Sequence, residues 1–127
     1  MWDSYGRTLR LLLVEDAPFL RYAFGRLLRM HGFEVMEATD GREALECVGT
    51  FRPQLVVTDL AMPIMDGVEL IRRLRANPET ANLPVIAITA DSSGQSEKRA
   101  RAAGADDFVT KPIDLPTLLD RLRAIPV

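Results

Sequence analysis

The chain has 127 residues, of which 47% are hydrophobic and 27% charged, an ordinary composition for a globular domain with one core. We therefore expect a single domain over residues 1–127, with an N-terminal tail over residues 1–8. The net charge of −2 gives no indication of nucleic-acid binding. No apolar run approaches the ~20 residues of a membrane span, and the single Cys47 cannot form an internal disulfide. These features favour a cytoplasmic protein with neither a membrane nor a nucleic-acid partner.

Short apolar runs alternate with segments of helical periodicity along the chain. The strands predicted in order are 9–14, 33–38, 55–58, 83–89 and 107–110. The helices that follow them run from Pro18 to a stop at Gly32, then over 42–49, 68–76, 95–103 and 115–125. This alternation predicts parallel strands with helices on both faces. The expected fold is α/β: a flavodoxin-like, doubly wound, five-stranded parallel sheet in the order 2-1-3-4-5 with five helices.

Acidic residues follow the first and third predicted strands. Glu15 and Asp16 close the first strand, and Asp59 closes the third. In the order 2-1-3-4-5 the switch point lies between these strands, so the three carboxylates should meet in one crevice. Their mutual repulsion calls for a proton, a cationic side chain or a metal ion. An all-oxygen set of this kind suits a hard cation such as Mg²⁺.

Two other strand ends carry groups that could stabilise a phosphoryl group. Lys111 follows the fifth strand and offers a charge, and Thr89 ends the fourth strand and offers a hydroxyl. A carboxylate beside Mg²⁺ can attack a phosphoryl group and form an aspartyl phosphate. Phosphoryl transfer depends mainly on positioning and on charge stabilisation. Asp59, with Lys111 and Thr89, is therefore the candidate catalytic group.

Four segments, L-V-E-D, T-D-L-A-M-P-I-M-D-G, I-T-A and T-K-P, resemble those of the response regulator receiver domain of two-component signalling. The resemblance extends from about Arg10 to Ile125. It implies that Asp59 accepts phosphate, and that Asp16, Asp59 and the backbone carbonyl of Ala61 bind Mg²⁺. Glu15, which stands where many members have Asp, would act through metal-bound water.

The resemblance also implies a switch. Thr89 and Lys111 would contact the phosphoryl group, and Phe108 would occupy the position of a rotating aromatic residue. The surface of the fourth helix, fifth strand and fifth helix would then change. The bond between Lys111 and Pro112 lies where the family commonly has a cis peptide.

The implied partners follow from the same resemblance. A histidine kinase or a histidine phosphotransfer protein would donate the phosphate, and a downstream effector protein or domain would read the result. The sequence does not decide whether the domain forms a homodimer. It also does not decide between a stand-alone regulator and the receiver of a longer protein. Such a domain is a signalling switch, not a metabolic enzyme, and it catalyses only its own phosphorylation and dephosphorylation.

Three alternatives to this function are a phosphate-independent pseudo-receiver that only binds partners, an Asp-nucleophile phosphatase, and a flavin-binding module. Such phosphatases typically have a second Asp two residues after the nucleophile, where this chain has Ala61. A flavin site needs a Ser/Thr/Gly-rich loop after the first strand, where this chain has Glu15 and Asp16. The acidic set together with Lys111 favours a phosphorylated receiver over a pseudo-receiver.

Some residues have simpler interpretations. Asp16 could cap the first helix, and Asp66 is expected to form a structural turn with Gly67. Phe19 and Tyr22 lie off the buried stripe of the first helix, where they could be half-exposed and help to dock the phosphodonor.

Overall fold

The computed structural model describes residues 2–3 and 5–126. Met1 and Ser4 of the predicted tail, and Val127 at the end of the predicted domain, lie outside the described residues. The strands are β1 (Arg10–Val14), β2 (Glu34–Ala38), β3 (Leu55–Asp59), β4 (Val85–Thr89) and β5 (Asp107–Thr110). The helices are α1 (Pro18–Met30), α2 (Gly41–Phe51), α3 (Gly67–Ala76), α4 (Gln95–Ala103) and α5 (Leu115–Ala124).

The strands form one parallel sheet in the order β2-β1-β3-β4-β5, which confirms the predicted fold. Alternate residues of a strand point to opposite faces, so the central strands supply two cores. Leu13 and Val57 belong to the core that includes residues of α1 and α5, whereas Val14 and Val56 belong to the core that includes residues of α2 and α3. The central strands β1, β3 and β4 are buried almost throughout, which explains their continuous apolar runs.

Two element boundaries differ by two residues from the sequence prediction, and the others by one at most. Helix α2 passes through Gly49 and ends only after Phe51, where Arg52 takes a left-handed conformation with φ of 52°. Strand β4 begins at Val85 rather than at residue 83, because Pro84 has no N–H to donate. The Pro84 carbonyl still accepts a hydrogen bond from Val56, at 2.9 Å.

Helix α4 is held at its carboxyl end by a side chain of α3. At its carboxyl end, Arg75 of α3 donates hydrogen bonds to the carbonyls of Gly104 at 3.0 Å and Leu83 at 2.7 Å. The same guanidinium pairs with Asp106 at 3.0 Å. Along α4 itself, Ala100 is the one fully buried residue, so the helix has little apolar anchorage on the sheet.

The start of the chain forms a closed turn against β1, as far as it is described. The Asp3 carboxylate accepts hydrogen bonds from the backbone N–H of Tyr5 at 2.8 Å and of Arg7 at 3.0 Å, and Gln54 lies 3.5 Å away. This turn lies at the amino end of β1, opposite to the strand ends that carry the acidic residues. No helix within residues 2–3 and 5–126 is both long enough and apolar enough to cross a bilayer.

Candidate functional site

Asp59 is the last residue of β3, and its carboxylate is almost completely buried at the carboxyl edge of the sheet. The chain turns immediately after it: the N–H of Gly67 donates to the carbonyl of Leu60 at 2.9 Å. A Cβ on residue 67 would collide with the Asp59 carbonyl and with Leu60, so only glycine fits here. Asp66 caps α3, accepting from the Glu69 N–H at 2.9 Å, as expected for a structural turn residue.

Lys111 brings a cation to this buried carboxylate. Its Nζ lies 3.0 Å from Asp59 Oδ2 and 3.2 Å from Glu15 Oε1, so one ammonium group bridges the ends of β1 and β3. Burial works to lower the pKa of Lys111, but hydrogen bonding to Asp59 and its charge, followed by those of Glu15, outweigh burial and raise it. Lys111 is therefore held in its charged form.

Glu15 is buried with both carboxylate oxygens engaged. Oε1 faces Lys111, and Oε2 accepts a hydrogen bond from the backbone N–H of Ala17 at 3.1 Å, just before α1. Burial raises the pKa of Glu15, and the charge of Asp59 adds to this, while the Ala17 N–H and Lys111 oppose it. A side chain with both oxygens occupied in this way is poorly placed to contact a metal directly.

Asp16 and Ala61 provide oxygens without protein partners. Asp16 is exposed, and among the described residues its carboxylate makes no hydrogen bond or ion pair. The N-cap of α1 is Ala17, and no side chain caps the helix. The carbonyl of Ala61 likewise accepts no hydrogen bond from the described part of the chain, while its N–H lies 3.4 Å from Asp59 Oδ1. The capping role considered for Asp16 is therefore not observed.

The acidic residues at this edge of the sheet lie close enough together to suit a Mg²⁺ ion. One carboxylate oxygen from each of Glu15, Asp16 and Asp59 lies within 4.8 Å of the others. In an octahedral site with metal–oxygen distances of about 2.1 Å, ligand atoms lie roughly 3 to 4 Å apart. A small contraction therefore lets the Asp16 and Asp59 oxygens share one ion, with the Glu15 carboxylate close by. The ligand type is also right, because carboxylate and carbonyl oxygens are what Mg²⁺ prefers.

Thr89 ends β4 with its side chain buried at the same edge of the sheet. Its Oγ1 accepts a hydrogen bond from the Asp91 N–H at 3.0 Å, which leaves the hydroxyl proton free for another acceptor. Asp91 itself has a role that was not predicted. Its carboxylate accepts the N–H groups of Ser93 at 2.8 Å and Ser96 at 3.1 Å, at the start of α4.

Helix α4 thus starts on a carboxylate three residues before its N-cap, Gly94, which has no side chain. Hydrogen bonds from the side chain and backbone of Ser93, then from those of Ser96, hold the pKa of Asp91 well below its usual range. The run Asp-Ser-Ser-Gly in the sequence is a recognisable turn and capping signal for this arrangement.

Phe108 lies half-buried on β5, next to the core that includes residues of α2 and α3. The guanidinium of Arg101, on α4, lies over its ring at 5.2 Å from the centroid. The peptide bond between Lys111 and Pro112 is cis. Phe108 therefore contacts α4 from the strand whose end carries Lys111.

An open groove of about 580 Å³ lies beside Asp59. Its lining includes Asp16, Ala61 and Thr89 from the site, and Ser96 and Arg99 from α4. In the first turns of α1, Phe19 and Tyr22 have 81% and 65% of their surfaces exposed, more than the half-exposure expected from the sequence.

Comparison with known proteins agrees with this geometry. Residues 11–123 match the family described as the response regulator receiver domain. Over 117 residues the chain is 40% identical to response regulator MprA of Mycolicibacterium vanbaalenii and of Mycobacterium leprae. These matches cover 92% of this chain and 50% of each relative, so the chain spans about half the length of these curated relatives.

Solved structures show the same likeness. The chemotaxis response regulator CheY4 of Vibrio cholerae superimposes with a TM-score of 0.85 at 30% identity, covering 91% of this chain and 97% of that one. The receiver domain of the sensor histidine kinase PA1611 of Pseudomonas aeruginosa gives 0.84 at 28% identity, covering 91% and 95%, and that structure has a magnesium ion in its active-site cleft. The chain belongs to the response regulator receiver domain family, the signalling domain of two-component systems.

Proposed function

We propose that this receiver domain takes part in a two-component phosphorelay and that Asp59 accepts the phosphoryl group from a phosphohistidine donor. The observation that carries this proposal is the contact of Lys111 with both Asp59 and Glu15, at 3.0 and 3.2 Å. This contact pairs a buried carboxylate nucleophile with a cation that can shift its hydrogen bonds to the phosphoryl oxygens. Ala61, where a phosphatase of this kind would have its acid, is an exposed alanine, and this argues against general phosphoester hydrolysis.

Asp16, Asp59 and the carbonyl of Ala61 would hold Mg²⁺. The first and last have oxygens without partners in the described chain, and the magnesium-containing PA1611 receiver supports the same ion here. Bound Mg²⁺ would neutralise charge on the transferring phosphoryl group. Glu15, which pairs with Lys111, would act on the ion through metal-bound water rather than by direct contact.

In the transfer, an Asp59 oxygen forms a bond to phosphorus while the phosphorus–nitrogen bond to the donor imidazole breaks. Lys111 and the free hydroxyl proton of Thr89 would donate hydrogen bonds to the phosphoryl oxygens. Hydrolysis of the aspartyl phosphate by water would return the domain to its starting state. The domain would therefore catalyse only its own phosphorylation and dephosphorylation.

The conformational change caused by phosphorylation would pass through Thr89 and Phe108 to the surface formed by α4, β5 and α5. Thr89 would move toward the phosphoryl group, and Phe108 would turn inward after it. A histidine kinase or a histidine phosphotransfer protein is the proposed donor, and an effector protein or domain is the proposed reader of the changed surface. We propose residues 1–127 as one receiver domain, with a homodimer as one form that the changed surface could support.

The test is labelling by acetyl phosphate with and without Mg²⁺. Wild type should be labelled only with Mg²⁺, and Asp59→Asn should not be labelled at all. Asp120→Asn is the matched control, because Asp120 is an exposed carboxylate on α5 away from the site and should leave labelling unchanged. Labelling of Asp59→Asn at the wild-type level would refute Asp59 as the acceptor.

A further inference from the structure

Arg99 is the only cationic side chain among the described residues that line the groove beside Asp59. It is exposed on α4 and, within the described part of the chain, makes no hydrogen bond or ion pair. Lys111, the other nearby cation, is occupied by Asp59 and Glu15. Arg99 is therefore a positive charge without a partner in the described chain, in the groove that lies beside Asp59.

The direction of α4 brings this charge toward the site. α4 begins a few residues after the end of β4, so its amino end lies at the carboxyl edge of the sheet, near Thr89. Side chains on a helix lean toward its amino end, so Arg99 leans toward that edge. Lys98, its neighbour in sequence, is equally exposed but does not line the groove.

Each carboxylate that lines the groove either accepts backbone hydrogen bonds already or is a proposed ligand of the metal. Asp66 accepts the first-turn N–H of α3, and Asp91 accepts those at the start of α4. Asp16 is a proposed Mg²⁺ ligand. The small side chains of Ala61 and Ala90 leave the groove open to a small molecule. An anionic group entering the groove would therefore find Arg99 as its available partner.

We propose that Arg99 is a specificity-determining residue that favours acyl phosphates among small-molecule phosphodonors; this rests on the proposed phosphoacceptor function. Attack by Asp59 is in line, so the leaving group departs on the side away from the carboxylate. The bond between phosphorus and the acyl oxygen breaks, a bond from Asp59 to phosphorus forms, and the electron pair leaves on a carboxylate, with no proton needed. Arg99 can stabilise that developing carboxylate by a paired, charge-assisted hydrogen bond.

A phosphoramidate donor provides the contrast, because it releases ammonia and develops no carboxylate. Initial labelling rates should be measured with acetyl phosphate and with phosphoramidate, at equal Mg²⁺, for wild type, Arg99→Ala, Arg99→Lys and Lys98→Ala. Arg99→Ala should slow acetyl phosphate labelling about 5- to 20-fold, less than the ~100-fold typical of an enclosed oxyanion donor because the groove is open. Phosphoramidate labelling should change less than about twofold.

Arg99→Lys should keep an intermediate acetyl phosphate rate, and Lys98→Ala should match wild type with both donors. Equal slowing of both donors by Arg99→Ala would overturn the inference, as would equal slowing by Lys98→Ala or no slowing at all. If wild type were labelled by neither donor, the proposed phosphoacceptor function itself would fail. If wild type were labelled and Arg99→Ala behaved identically, only the role of Arg99 would fail.

Discussion

The hydroxyl oxygen of Thr89 and the backbone N–H of Asp91 are joined by a hydrogen bond of 3.0 Å. Asp91 in turn holds the N–H of Ser96 in the first turn of α4 at 3.1 Å. A displacement of Thr89 toward Asp59 would therefore pull on the residue that orders the start of α4. This two-residue link gives a physical route from the proposed acceptor site to the α4 surface.

Substitution of Thr89 tests this route. Thr89→Ser keeps the hydroxyl, whereas Thr89→Ala removes both the bond to Asp91 and the proposed donor to the phosphoryl group. We expect beryllofluoride to change hydrogen exchange of α4 amides in wild type and Thr89→Ser, and to have less than about a quarter of that effect in Thr89→Ala. The measurement is amide exchange by mass spectrometry at saturating Mg²⁺ and beryllofluoride. An equal α4 response in Thr89→Ala would contradict the route.

The lowered pKa of Asp91 leads to a prediction of how stability depends on pH. Because its folded pKa is depressed, Asp91 stabilises the fold above the unfolded pKa of about 3.9, and this stabilisation is lost as the pH falls through the folded pKa. Asp91→Asn should therefore lower the urea midpoint by a constant amount between about pH 7 and 5. The difference from wild type should shrink as the pH falls below about 4. A difference that grew on acidification would be opposite in sign to this linkage.

Magnesium should stabilise the domain through the acidic site. A ligand that binds only the folded state adds about 1.4 kcal/mol when present at ten times its Kd, worth a few degrees in Tm. Thermal unfolding of wild type should show this rise, and chelation should reverse it. Asp16→Asn should abolish most of it, whereas Asp120→Asn should not. A Tm rise of the same size in Asp16→Asn would exclude Asp16 as a ligand.

Substitution of Phe19 tests whether this side chain helps to dock a protein phosphodonor. Because its ring is 81% exposed beside the end of β1, Phe19→Ala should slow phosphotransfer from a protein donor about fivefold, the effect of losing ~1 kcal/mol of contact energy. Labelling by acetyl phosphate should stay at the wild-type rate. Met30→Ala is the control, since Met30 is 71% exposed at the far end of the same helix. Equal slowing with both kinds of donor would count against a docking role.

The sequence was sufficient for the fold because three strands are continuous apolar runs and each is followed by a helical pattern. It also placed Asp59 at a strand end, since Leu55–Thr58 leads directly into it. Glu15 and Lys111 come together as the parallel order requires, although they are 96 positions apart in the chain. Parallel topology alone brings such distant strand ends to one edge.

Finer details depended on contacts that periodicity does not report. The engagement of both Glu15 oxygens depends on where α1 begins, and the position of Arg99 beside the groove depends on the placement of α4. Helix α2 continued through Gly49 because glycine only weakens a helix, and the left-handed Arg52 ended it instead. Strand β4 lost two predicted residues to the missing N–H of Pro84.

The contacts of Arg75 also constrain how far a signal can displace α4. Because the guanidinium is bonded to Gly104, Leu83 and Asp106, we expect the carboxyl end of the helix to move least. We expect a movement that starts at Asp91 to be a rotation about that end, largest at Gln95 and smallest at Ala103. A partner that reads the amino-terminal turn of α4 would sense the full swing, while one that contacts the Gly104 end would sense almost none.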